Sequence, residues 1–135
     1  MPSLKRRLFL ALPILGWTKL PDTQLQIGAS VVLDGSGNGQ ITLGPSITRE
    51  HWDLVSADVS VSTAVLEATC VLYQATGPTP TQRLGGTATG STGDTCGLTG
   101  VTLMPGQVIL AVWAGGDAGK TATLAIVGTK GRYGQ

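Results

Sequence analysis

From residue 25 onward, apolar and polar residues alternate one by one along most of the chain. The stretch "LQIGASVVLD" places Leu25, Ile27, Ala29, Val31 and Leu33 on one face. "LVSADVSVST" sets Val55, Ala57, Val59 and Val61 against Ser56, Asp58, Ser60 and Ser62. "TATLAIVGT" sets Ala122, Leu124 and Ile126 against Thr121, Thr123 and Ala125. A period of two predicts half-buried strands, with one face on a core and one toward water. "ATCVLYQA" and "QVILAVWA" are apolar on both faces and read as central strands. Weaker strand patterns cover Gln40–Leu43, Leu84–Thr89 and Gly100–Met104.

The turn-rich segments "DGSGNG", "TGPTPTQ", "STGDT", "MPGQ" and "GGDAGK" separate these stretches. No segment after residue 20 carries a helical period. The pattern predicts an all-β fold: an antiparallel β-sandwich, jelly-roll-like, of about seven to eight strands. It occupies residues 22–135, with an apolar N-terminal arm over residues 1–21. "DGSGNG" and "GGDAGK" read as hairpin loops, the second joining Val108–Trp113 to Thr121–Thr129 as paired strands.

Composition agrees with many short strands. Only 13% of residues are charged, while glycine reaches 20 of the 135 positions, so turns and a Thr/Ser surface take the place of charged helices. A net charge of +1 excludes a nucleic-acid footprint, which needs clustered Lys and Arg; the one basic cluster is Lys5-Arg6-Arg7. The two cysteines, Cys70 and Cys96, are too few for a four-ligand zinc site, and their spacing leaves one bridge or two free thiols open.

The arm, "MPSLKRRLFLALPILGW", is basic and then apolar, and too short to span a bilayer. Two readings compete. In one it is retained and docks on a partner through Leu4, Leu8, Phe9, Leu12, Leu15 and Trp17, with the leucines near one helical face until Pro13. In the other, residues 1–16 are a signal peptide, although "LGWTKLP" offers no good small-x-small cleavage site.

Several stretches carry letters of known chemistry. "AGGDAGKT" (114–121) matches a phosphate-binding loop with Ala114 in place of the first glycine. Such a loop must enter a helix whose N-terminus faces the phosphates, and "TATLAIVGT" is a strand, so a turn is the better account. "DGSGNG" offers Asp34, Ser36, Asn38 and Gly39 at calcium-loop positions, but Pro45 stands where the bidentate Glu belongs. His51, the single histidine, lies in "REHWD" between Glu50 and Asp53; without a nucleophile elbow it reads as a polar corner, with Trp52 as packing anchor. Trp52, Tyr73 and Trp113 fall in or beside strands and read as core rather than as a sugar-stacking platform. No catalytic, metal or cofactor residues follow from these patterns.

The segments "CVLYQ", "RLGGTATGSTGDT" and "LMPGQVILAVWAGGDAGKTATLAIVGT" carry a resemblance. Their turns, the Gly37–Gly39 turn, Trp52 and the Trp113–Leu124 segment resemble small β-sandwich virion structural proteins of tailed phages infecting actinobacteria. The likeness covers about residues 25–130 and leaves the arm aside. It implies a non-enzymatic virion component: a capsid decoration, head fibre or minor tail protein, homo-oligomeric, attached to capsid or tail subunits. The competing expectation is a secreted bacterial β-sandwich that binds glycans or cell surfaces after losing its signal peptide.

Overall fold

The computed structural model describes residues 18–19, 22–45, 49–62, 68–77, 79–89 and 93–134. Every regular element among them is a strand: β1 (Thr18–Lys19), β2 (Thr23–Val32), β3 (Gly39–Leu43), β4 (Glu50–Val61), β5 (Ala68–Thr76), β6 (Thr79–Thr89), β7 (Asp94–Gly97), β8 (Thr102–Leu103), β9 (Gln107–Ala114) and β10 (Thr121–Gly134). They form two antiparallel sheets packed as a sandwich. In the first, β10 lies between β4 and an edge made of β1 and β2 in line, while β7 and β8 line the far side of β4. The second has the order β3-β9-β5-β6.

The pairing is nested. β2 pairs with β10, β3 with β9, β4 with β7 and β8, and β5 with β6. One long antiparallel ribbon is thus folded over itself, and β10–β4 and β9–β5 close the two sheets. That is jelly-roll topology, as the strand pattern predicts.

The two glycine-rich loops are not hairpins. β9 pairs with β3 and β5, whereas β10 pairs with β1, β2 and β4, so "GGDAGK" crosses from one sheet to the other. "DGSGNG" likewise links β2 in the first sheet to β3 in the second. Glycines with positive φ, such as Gly37 (76°) and Gly119 (79°), serve an inter-sheet corner as well as a hairpin. Local letters do not distinguish the two.

The core lies between the sheets. Val59, Val61, Leu72, Leu103, Ile109, Trp113, Leu124 and Ile126 are essentially inaccessible to water. Each such side chain contributes about 1.5–3 kcal/mol by its burial. Trp113 Nε1 is buried without a hydrogen-bond partner, a penalty of about 1–3 kcal/mol that the large apolar ring outweighs.

The alternation holds for Ala122, Leu124 and Ile126 but breaks in β4. Between Val127 and Gly128 the register on β10 jumps from Ser56 to Leu54, so Val55 is an extra residue opposite β10, while its carbonyl accepts the Leu98 amide on the other side at 2.8 Å. This bulge turns Val55 outward, 51% exposed, while Leu54 and Ala57 both reach the core. Two further expectations need correction. "REHWD" is no corner before a strand, because β4 already begins at Glu50. Tyr73 is half-buried and absent from the core cluster: the core row of β5 is Ala68, Cys70 and Leu72, and Tyr73 follows on the other face. β6 starts at Thr79, inside "TGPTPTQ", and β7 begins at Asp94, inside "STGDT", although both segments carry turn letters.

Candidate functional site

The sandwich has two unlike ends. At one, Val32 pairs with Thr121, and the loops after β2 and before β10 meet. At the other, Thr23 pairs with Lys130, and β1 continues past it to pair with Tyr133 and Gly134.

The loop end contains both letter-motifs of the sequence, and it brings them together. Asp34 Oδ1 accepts the amides of Ser36 (2.8 Å) and Asn38 (3.0 Å), closing the first loop on itself. These amides hold the Asp34 carboxyl below its ordinary 3.8, Asn38 having the largest effect. Across the gap, Gly115 N donates to Asn38 Oδ1 (3.2 Å), Gly116 N to Gly37 O (3.0 Å) and Gly119 N to Leu33 O (3.0 Å). Leu33 N in turn donates to Lys120 O at 2.8 Å.

Those contacts decide the chemistry. A phosphate site needs several loop amides converging on open space at a helix start. Here the amides of Gly115, Gly116 and Gly119 are spent on the neighbouring loop, and Lys120 runs into a strand. In the calcium-like letters, Asp34 Oδ1 and Asn38 Oδ1 accept backbone amides, which shapes the same junction. Both motifs are halves of one structural clasp. A shallow depression of about 380 Å³ beside it, lined in part by Asp34, Asn38, Gln40 and Val112, gathers no catalytic set.

The opposite end carries the buried polar residues. Glu50 and His51 are both buried at the start of β4. Glu50 lies on the core-facing row and accepts the Trp52 indole N–H on Oε1 (3.0 Å) and Arg132 Nε on Oε2 (3.3 Å). His51 faces the other way, with Nε2 at 3.4 Å from Asp53 Oδ2. Thr102 donates its hydroxyl to Asp53 Oδ1 at 2.8 Å, which adds a side-chain tie to the β4–β8 pairing. Gly131 is required beneath the ring: a Cβ there would stand 2.7 Å from His51 Cε1 and from Asp22 Oδ1. These contacts tie β4, β8 and β10 together at this end.

The Glu50–Arg132 pair spans 82 residues and has no signature in the sequence. Its effect is to pin the last part of β10 to β4, one residue before the Tyr133–Lys19 pairing that begins the arm's root. The arm residues singled out for docking, Leu4, Leu8, Phe9, Leu12, Leu15 and Trp17, lie outside the described residues.

Cys70 and Cys96 are both free thiols. Cys70 sits in the core on β5, where burial first and the nearby Cys96 second push its thiol up to about 12. Cys96 is only partly buried, on β7. Among the described residues no three His, Cys, Asp or Glu side chains gather as a metal centre requires. Nor is any helix long and apolar enough to cross a membrane. Trp52 and Trp113 are buried and offer no stacking face.

No protein-family model matches the chain, and no curated protein matches it either.

Proposed function

We propose that the protein is a non-enzymatic structural component of a phage particle: a capsid decoration or other accessory head or tail protein, held by its N-terminal arm. The observation that carries this reading is the polarity of the sandwich. The arm's root, β1, continues the edge of the first sheet beyond β2 and leaves at the end opposite the paired glycine loops. An arm placed there can bind a neighbouring subunit while the body and its loop end project away from it. Jelly rolls are a recurrent architecture of viral shells, which adds fold-level support and nothing stronger. The apolar side chains of residues 4–17 would contribute about 1.5–3 kcal/mol each on burial, against the entropy of ordering them.

The test is mass spectrometry of the culture that produces the protein. The expected result is a chain with its N-terminus intact at Met1, co-purifying with particles. Removal of residues 1–20 should abolish incorporation. A chain found in the secreted fraction without its first residues would overturn the proposal and favour a secreted binding module.

A further inference from the structure

We propose that the free edge of β2 is a self-association surface, on which a second copy of this chain lays its own β2 antiparallel across a two-fold axis. This inference does not depend on the particle reading. It rests on a comparison of the sheet edges among the described residues. An exposed edge presents unpaired N–H and C=O groups, and proteins blunt such edges with short length, charge, proline or bulges.

Three edges are blunted in these ways. β3 has 5 residues. β7 has 4, beginning with Asp94, and β8 only 2. β6 is long, but it contains Pro80 and Arg83 and its pairing with β5 breaks register twice. β2 has none of these devices. It runs for 10 residues, "TQLQIGASVV", without charge or proline, and pairs with β10 in one unbroken register. Two of the exposed large apolar side chains also lie on it, Ile27 (37%) and Val32 (63%).

The occupant follows from the same comparison. A strand that covers this edge must itself be long, regular and free of like charge, and β2 is the described edge of this chain that qualifies. Pairing β2 with its own copy gives an isologous interface. Residues opposite one another in an antiparallel pair share a face, so the axis must pass through a residue, not between two. Near the middle of the strand the choices are Ile27 and Gly28. An axis at Ile27 sets the two exposed isoleucines against each other, Leu25 opposite the partner's Ala29, and Gln26 opposite the partner's Gly28.

The experiment uses the full chain. Analytical ultracentrifugation should show a species of twice the 13.8 kDa chain. Amides within residues 23–32 should exchange more slowly at concentrations where it forms. Ile27→Lys, which places two ammonium groups face to face, should raise the dissociation constant at least about tenfold while the far-ultraviolet spectrum stays unchanged. Ile27→Cys supplies an independent reading, because mild oxidation should give a covalent dimer joined from position 27 to position 27. A chain that stays monomeric at about 1 mM overturns the proposal. So does a dimer indifferent to Ile27→Lys, or a position-27 disulfide that joins Cys96 and not a second position 27.

Discussion

Gly37→Ala tests the clasp between the two glycine loops most directly. Gly37 has φ of 76°, and a methyl group there would overlap the Gly116 carbonyl oxygen and lie 2.5 Å from its carbon. Gly119 provides the internal control. Its φ is almost the same, 79°, but no atom lies within 4 Å of the added methyl. The left-handed conformation alone costs an L-residue about 1–2 kcal/mol, which is the whole expectation for Gly119→Ala. At Gly37 the loops must also separate, which loses the Gly116–Gly37 and Gly115–Asn38 hydrogen bonds at about 1 kcal/mol each. The total is about 3–4 kcal/mol. With an unfolding entropy of about 2.1 cal/mol/K per residue, each kcal/mol moves the melting temperature by about 3–4 °C. Gly37→Ala should therefore melt about 10–15 °C below the parent chain and Gly119→Ala about 4–8 °C below it, measured by circular dichroism at a common scan rate. If the two variants melt within about 2 °C of each other, the loops do not dock as described.

Three further outcomes follow from other parts of the molecule. Glu50→Ala should destabilise by about 2–4 kcal/mol in urea unfolding, since it strands the buried Trp52 indole; Arg132→Ala should cost less, because Arg132 is 53% exposed and its pairing is screened. In the folded protein a thiol reagent at pH 8 should modify Cys96 and spare Cys70, whose thiol ionises only near 12, and both should react once the chain is unfolded. Asp34 is held below 3.8 when folded, so its contribution is complete above the ordinary carboxylate value and is lost as pH falls through the folded one; Asp34→Ala should flatten that acid limb in pH-dependent melts.

Strand identity was largely legible because burial on one face imposes a period of two, and that signal is local. Ala122, Leu124 and Ile126 read correctly for this reason. Val55 did not, since a bulge is a property of two strands and β10 lies some seventy residues further on. The same limit explains the loops. "GGDAGK" shows a tight turn with positive φ, but whether its flanking strands pair with each other or with β2, β3, β4 and β5 depends on distant partners. The polar end is half legible: "REHWD" is a local cluster, and Trp52 is buried as its place there predicts. Arg132, the residue that gives buried Glu50 its counter-charge, could not be inferred from a position 82 residues away.

Both proposals converge on the first sheet. The arm precedes β1, which precedes β2 in the chain, and among the described residues β1 holds β10 by two pairs, Thr18 with Gly134 and Lys19 with Tyr133. A pull on a docked arm would therefore pass along the chain into β2, which meets β10 in an unbroken register from Thr23 to Val32. Antiparallel hydrogen bonds lie across the strand direction, so this ladder bears such a load together, not bond by bond. A second β2 on the free edge would add another ladder to the strand that bears it. An edge left long and uncharged, which is a hazard in an isolated monomer, is then the part of the fold best placed to share the strain of attachment.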